Sequence, residues 1–246
     1  EQRTLSTRGA PVGDGGRGAS LTVGDTAPPQ LVERAFDSAI GVIRRQEVHG
    51  VSASCPRDVP GRRHVRRAQV AAVINNGDMS RWSVADAPSL SGRTALVTGA
   101  TSGLGLETAV ALASRGARVL VAGRDAGRTD AAVARASGAA AEGGSAEPLA
   151  LDLASLASVR AAVDEVRARL DALDVLVNNA GIMAPPFATT EDGFETQIGT
   201  NHLGHFALTA GLMPLLLAAD APRVVNVSSA AHRMGSLQPD DLHYEN

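Results

Sequence analysis

The chain has 246 residues, enough for one or two domains, and 44% of them are apolar, which suffices for a buried core. Its net charge of -3 gives no general attraction to nucleic acid or to an anionic membrane, and no apolar run reaches the roughly 18 residues of a membrane span. The single cysteine, Cys55, excludes an internal disulfide. We therefore expect a soluble, cytoplasmic protein that binds neither nucleic acid nor membrane.

The first part of the chain has a different composition from the rest. Residues 1–30 contain nine glycines or prolines, and residues 31–43 have the apolar spacing of one amphipathic helix. Five arginines follow between Arg57 and Arg67. Because no aromatic residues are interleaved with them, we interpret this run as a solvated tail rather than a nucleic-acid patch.

Met79 is a candidate for the natural start of the protein, further along the chain. The chain opens with glutamate, whereas the segment MSRWSVADAPSLSGRTALVTGA, which begins at Met79, resembles an N-terminus. Two interpretations of residues 1–78 stay open: a disordered segment, or upstream sequence that is not part of the natural protein. We predict that residues 79–246 form the folded domain.

From Arg93 onward, apolar periodicity predicts strands that alternate with helices. The predicted strands are 94–97, 118–122, 147–151, 175–177 and 223–227. The predicted helices are 103–115, 126–137, one capped by Ser155 with Val159, Val163, Val166 and Leu170 on its inner face, and 194–217, with a loop at 138–146. Such alternation predicts βαβ units, and hence an α/β fold with a Rossmann-type, doubly wound parallel sheet.

The turn after the first predicted strand is rich in glycine. It has the spacing G-x-x-x-G-x-G, from Gly99 through Gly103 to Gly105. Glycines here let the backbone turn tightly and approach a pyrophosphate, whose charge lies against the N-terminus of the next helix. Taken alone, a glycine-rich turn is a weak indication, because glycines often serve only the turn itself.

Further motifs follow this turn in order. They are Asp152-Leu153 after the third strand, Asn178-Asn179-Ala180-Gly181 after the fourth, Asn201 in TNHLGHF, and Ser229 at the end of RVVNVSS. With these motifs, residues 91–246 resemble the short-chain dehydrogenase/reductase family. The stretches NNAGIMAPP, NHLGHF and NVSSAAHRMG resemble its retinol-dehydrogenase-like branch, to which WW-domain-oxidoreductase-like proteins are similar.

The resemblance implies a nicotinamide dinucleotide as cofactor and assigns roles to the matching residues. The cofactor-binding residues would be Gly99, Ser102, Gly103, Leu104, Gly105, Arg124, Asp152, Leu153, Asn179, Ala180 and Gly181. In the family, the aspartate at the position of Asp152 contacts the adenine ring. Asn201 would act in a proton relay and Ser229 would orient the substrate carbonyl, so these two are the candidate catalytic residues.

The end of the second strand bears on which dinucleotide binds. A dehydrogenase that selects NAD usually places an acidic side chain there, which accepts hydrogen bonds from the ribose 2′-OH. This chain has Arg124, with Asp125 one residue later. The retinol-dehydrogenase-like branch uses an arginine at this point for the 2′-phosphate, which a guanidinium can meet with two charged hydrogen bonds. We therefore expect NADP(H) rather than NAD(H), the alternative being a solvent-exposed loop arginine.

Three polar residues on the last predicted helix, Asn201, His202 and His205, can also be interpreted without a catalytic or metal-binding role. Asn201 follows Ile198 by three residues, which predicts that its side chain faces inward. His202 and His205 are three residues apart with no carboxylate nearby, so we interpret them as incidental and expect no metal site.

The tyrosine and lysine of the family's catalytic motif find no clear match here. All 23 basic residues are arginine, and Tyr244, the only tyrosine, lies in what we interpret as a loop. We expect that the chain stops short of this motif and of the last strands of the sheet, and that it is inactive. The complete protein would be an NADP(H)-dependent oxidoreductase of a small carbonyl or alcohol compound.

Two other classes of function stay open. One is a non-catalytic dinucleotide-binding module, and the other is a nucleic-acid-binding protein that uses the Arg57–Arg67 run. The complete protein could also be a homo-oligomer.

Overall fold

The computed structural model describes residues 83–229 and Asp241. The predictions for residues 1–78, for the start at Met79 and for Tyr244 lie outside these residues. A short 3-10 turn at Val84–Asp86 precedes the sheet. The strands are β1 (Thr94–Thr98), β2 (Arg118–Gly123), β3 (Ser145–Ala150), β4 (Val175–Asn178) and β5 (Arg223–Asn226). The helices are α1 (Gly103–Ser114), α2 (Ala126–Gly138), α3 (Leu156–Arg169), α4 (Thr196–Ile198) and α5 (Gly204–Ala218), with a π-helical segment at Gly199–Leu203 between the last two.

The strands form one parallel sheet in the order β3-β2-β1-β4-β5. The chain winds outward from β1 to β3 and then returns to place β4 on the other side of β1. This confirms the predicted α/β fold with a doubly wound parallel sheet. In such sheets, ligands bind beyond the carboxyl ends of the strands, where the strand order reverses. Here that point lies between β1 and β4.

Successive strand residues face opposite sides of the sheet, and each side is covered by helices. Leu96 belongs to the core that includes α3 and α5, whereas its neighbour Val97 belongs to the core that includes α1 and α2. The inner face predicted for α3 is buried at all its positions, namely Val159, Val163, Val166 and Leu170. Within the described part of the chain, no helix is both long and apolar enough to span a membrane.

The strands and helices before residue 138 begin where the sequence predicts, but the loop predicted at 138–146 is too long. Gly138 still belongs to α2, and β3 begins at Ser145 rather than at residue 147. The Ser145 N–H donates to the carbonyl oxygen of Ala117 at 3.1 Å, and Ser145 pairs with Arg118 of β2. Pairing with a neighbouring strand therefore outweighs the weak strand preference of these small residues.

The prediction of one helix over 194–217 is also corrected. The Glu195 carboxylate accepts hydrogen bonds from the N–H groups of Gln197 and Ile198, at 2.8 and 2.9 Å, so the helix begins at Thr196. Its backbone then widens into the π-helical segment before α5. Gly204 follows this segment and lies against Leu153, whose carbonyl oxygen would be 2.3 Å from a Cβ at position 204. Segments of this kind are frequent at functional sites, and this one contains Asn201.

Candidate functional site

A cavity of about 370 Å³ lies at the carboxyl edge of the sheet, where the strand order reverses. Its volume falls within the range of roughly 300–1,000 Å³ that is usual for ligand pockets. Its walls come from the segments that follow β1, β2, β3 and β4. The lining includes Gly99, Ser102, Leu104, Gly105, Arg124, Asp152, Leu153, Asn179, Ala180 and Gly181. The structure thus brings together the predicted cofactor-binding residues, and Gly103 lies between two of them.

The glycine turn needs its glycines for two separate reasons. Gly99 and Gly103 have φ of 61° and 54°, the left-handed region that residues with a side chain rarely adopt. Gly105 is required by space: a Cβ at this position would lie 2.4 Å from Asn179 Nδ2 and 2.5 Å from the carbonyl oxygen of Gly99. Helix α1 therefore starts in direct contact with the turn and with the segment after β4.

The N-terminus of α1 borders the cavity without a capping side chain. Ser102 occupies the N-cap position but makes no capping hydrogen bond, and its Oγ instead accepts from Arg128 Nη2 at 3.3 Å. A Cβ at Gly103 would meet no atom within 4 Å, so the space beside the first turn is open. Free first-turn amides and the helix dipole stabilise an anion at such a position, which fits a pyrophosphate.

Thr98, at the end of β1, fixes the segment after β4. Its Oγ1 accepts hydrogen bonds from the backbone N–H groups of Asn179 and Ala180, at 2.9 and 3.0 Å. In return, Asn179 Nδ2 donates to the carbonyl oxygen of Thr98 at 2.8 Å. Asn178 points elsewhere: it is buried and its Nδ2 donates to Asn226 Oδ1 and to Thr209 Oγ1. The two asparagines therefore brace different parts of the carboxyl edge.

The end of the cavity beyond β2 carries two arginines. Arg124 is exposed and makes no hydrogen bond or ion pair with the residues that the structure describes. The Asp125 carboxylate is engaged as the N-cap of α2, where its Oδ1 accepts from the N–H of Arg128 at 2.8 Å. Arg128 was not among the site residues predicted from the sequence, although its place in the first turn of a predicted helix, close behind Arg124, indicates that it lies near the same end of the cavity.

A second cavity, of about 640 Å³, adjoins the first and shares Asn179, Ala180, Gly181 and Ile182 with it. Both candidate catalytic residues, Asn201 and Ser229, line it. The Asn201 side chain pairs with the backbone of Ile182: its Oδ1 accepts from the N–H at 2.9 Å, and its Nδ2 donates to the carbonyl oxygen at 2.8 Å. The prediction that Asn201 faces inward is wrong, because its amide reaches this surface segment and the residue is exposed.

His205, interpreted from sequence as incidental, is a buried member of the same network. Its Nε2 lies 2.8 Å from Thr98 Oγ1, and its Nδ1 lies 2.9 Å from the carbonyl oxygen of Asn201. Burial lowers the pKa of His205 below its ordinary value. No signal in a single sequence indicates this role, since Thr98 and His205 are 107 residues apart. In the described residues, no group of three potential metal ligands is present.

Comparison with known proteins gives a consistent family. The profile described as short chain dehydrogenase matches residues 93–239. Human retinol dehydrogenase 13 is 39% identical over 175 residues, which cover 71% of this chain and 53% of that protein. Mouse polyprenol dehydrogenase is 50% identical over 162 residues, which cover 63% of this chain and 48% of that protein. The chain therefore spans about half the length of these curated relatives.

Solved structures agree with this assignment. The crystal structure of an uncharacterised protein from Mycobacterium paratuberculosis shares 49% identity with a TM-score of 0.59, covering 67% of this chain and 56% of that one. The RhlG/NADP active-site complex of Pseudomonas aeruginosa shares 35% identity with a TM-score of 0.51, covering 58% of this chain and 57% of that one. The parallel sheet, the glycine turn and the profile match over 93–239 lead to one conclusion: this chain belongs to the short-chain dehydrogenase/reductase family.

Proposed function

We propose that this chain binds NADP(H) in the first cavity and that the whole protein is an oxidoreductase that interconverts an alcohol and the corresponding carbonyl compound in the second. The observation that carries this proposal is the first cavity itself. A glycine turn, an uncapped helix N-terminus and an exposed arginine border one space at the point where the strand order reverses. When bound, the nicotinamide dinucleotide supplies or accepts the hydride.

The side chains of Arg124 and Asp125 favour NADP(H) over NAD(H). Arg124 keeps its charged group without a protein partner in the described structure, so its guanidinium is available to a 2′-phosphate. Asp125, the acidic residue nearest to the end of β2, holds the N-terminus of α2 through Arg128 instead. This capping bond reduces the number of acceptor sites that Asp125 has left for the 2′-OH of NAD. The P. aeruginosa relative is described as an NADP complex.

The second cavity fits an alcohol or carbonyl compound with an apolar body. Its lining combines polar residues, including Asn201 and Ser229, with the apolar residues Ile182, Phe206, Val224 and Val227. Two relatives are named for retinol and polyprenol, which are apolar alcohols. We therefore propose an apolar alcohol, or the aldehyde or ketone derived from it, as substrate.

The residues of this chain divide the work between binding and orientation. The glycine turn forms one wall of the first cavity, and Thr98 holds the segment after β4 that forms another. Asn201 fixes Ile182, one of the four residues that border both cavities, and Ser229 lines the second cavity. A hydroxyl can donate a hydrogen bond to a carbonyl oxygen and so orient it.

The proposal is tested by calorimetric titration of the 246-residue chain with NADPH, NADH and duplex DNA in separate experiments. Binding of NADPH that excess 2′-phospho-ADP displaces supports the assignment of the first cavity. Binding of DNA without binding of dinucleotide would contradict it. If the whole protein binds the dinucleotide but turns over no alcohol or carbonyl compound, a non-catalytic dinucleotide-binding module is favoured instead.

A further inference from the structure

His205 connects α5 to the end of β1 through an imidazole that is almost fully enclosed. The residue is 6% exposed and Thr98, its partner, is 0% exposed. The ring contacts the carbonyl oxygen of Asn201 on one side and the hydroxyl of Thr98 on the other. Asn201 and Thr98 in turn hold the segment from Asn179 to Ile182, which borders both cavities.

The partners of His205 determine where each proton lies. A backbone carbonyl only accepts, so Nδ1 carries a proton and donates to the Asn201 oxygen. In a neutral ring, Nε2 is then an acceptor, and the Thr98 hydroxyl donates to it. The hydroxyl oxygen keeps its two lone pairs for the N–H groups of Asn179 and Ala180, at 2.9 and 3.0 Å. These three hydrogen bonds use the one proton and both lone pairs of the Thr98 hydroxyl.

We propose that His205 is a positioning residue for the dinucleotide site and acts as the neutral Nδ1–H tautomer. A second proton on Nε2 would point at a Thr98 oxygen that has no lone pair left. The hydroxyl would have to turn to the more distant carbonyl oxygen of Val177, at 3.4 Å, and release Asn179 or Ala180. A proton on His205 thus loosens the wall of the first cavity. This inference rests on the proposed binding of a dinucleotide.

The surroundings of His205 favour the neutral ring. Burial lowers the pKa of His205 most, the hydrogen bond to Asn201 raises it, and the charge of His202 lowers it further. Strands β1 and β4 and residues 179–182 contain no ionisable side chain. Helix α3 meets α5 through apolar core residues. The segment after β3 contributes Asp152, whose Oδ1 accepts from the N–H of Ala154.

The test compares the pH dependence of dinucleotide affinity in the unaltered chain and in H205Q. Glutamine keeps an amide oxygen and an amide N–H but does not titrate. Because the bound state selects the neutral ring, we expect the Kd for NADP⁺ to rise more steeply in the unaltered chain as the pH falls from about 7.5 to about 5.5. Each unit by which binding lowers the pKa of His205 corresponds to about a tenfold change in affinity. The 2′-phosphate of the ligand titrates equally in both titrations and cancels in the comparison.

Two further measurements separate positioning from simple packing. In a chain with ¹⁵N-labelled histidine, nitrogen shifts report the tautomer directly, and the signals that H205Q lacks identify His205 among the six histidines. T98V removes the hydroxyl that His205 holds. In a chain that carries T98V, the pH dependence of the Kd for NADP⁺ should therefore be the same with His205 and with H205Q. The inference is overturned, and the proposed function stands, if the unaltered chain and H205Q bind NADP⁺ with the same pH profile. The same holds if the His205 ring is the Nε2–H tautomer. If neither chain binds a dinucleotide at any pH, the proposed function fails as well.

Discussion

Gly105 of α1 lies so close to Asn179 that a Cβ at position 105 would be 2.4 Å from the Asn179 side-chain nitrogen. We predict that Gly105→Ala lowers the free energy of unfolding by about 1–3 kcal/mol, because either the turn or Asn179 must move. The substitution should also weaken dinucleotide binding, since Gly99 and Asn179, the two residues that this Cβ would meet, both border the first cavity. Chemical denaturation and calorimetric titration measure the two effects.

Gly127→Ala is the matched control for this prediction. A Cβ at position 127, near the start of α2, would lie 3.7 Å from Asp125 Oδ1, an ordinary contact. Replacing this glycine should leave stability unchanged or raise it by up to about 1 kcal/mol. Equal effects of the two substitutions would contradict the close packing of α1 on the segment after β4.

The glycine turn also illustrates how far the sequence could predict the site. The strand–turn–helix pattern and the later motifs predicted which segments meet at the carboxyl edge, and the first cavity brings these segments together. The contacts that hold the segments could not be predicted, because Thr98, Asn179 and His205 are distant in sequence and ordinary in type. The fold was predicted well wherever apolar periodicity was strong. The prediction was wrong at 138–146, where pairing with β2 decides where β3 begins. It was also wrong at the start of the last predicted helix, where Glu195 acts as a cap.

A second prediction concerns acid stability and the ion pair between β2 and β3. Arg118 donates to both carboxylate oxygens of Glu147, at 2.7 and 2.9 Å, and this lowers the pKa of Glu147 below its ordinary value of 4.5. The unfolded chain therefore takes up this proton first as the pH falls. The contribution of this ion pair to the free energy of unfolding is complete above about pH 4.5. It is lost as the pH falls through the lower pKa that Glu147 has in the folded state.

Glu147→Gln should remove this part of the acid dependence. Because both side chains are about one-third exposed, the loss at neutral pH should stay below about 1 kcal/mol. Urea denaturation from neutral to acidic pH measures it. Arg118→Gln should flatten the same part of the curve of unfolding free energy against pH. The double variant should lose no more unfolding free energy than either single variant. Additive losses would show that the two residues act independently.

A third prediction is that the 246-residue chain binds a dinucleotide but does not turn over substrate. The sequence contains no lysine, and an unassisted tyrosine with a pKa of about 10 is a poor acid or base at neutral pH. General acid–base catalysis is typically worth about 10²–10⁴-fold. NADPH oxidation with a panel of aldehydes and ketones should therefore stay at background. Turnover that Tyr244→Phe abolishes would contradict this prediction.

The central claim is that the first cavity holds NADP(H) through Arg124, and the ratio of the Kd values for NADH and NADPH tests it most directly. We expect NADPH to bind about 10- to 100-fold more tightly, the equivalent of roughly 1.5–3 kcal/mol for a charged contact. Arg124→Gln should abolish this preference by weakening NADPH alone. Arg135→Gln, which makes the same change on α2 at an arginine paired with Glu107, should preserve it. Equal affinities in the unaltered chain, or a preference that survives Arg124→Gln, would contradict the claim.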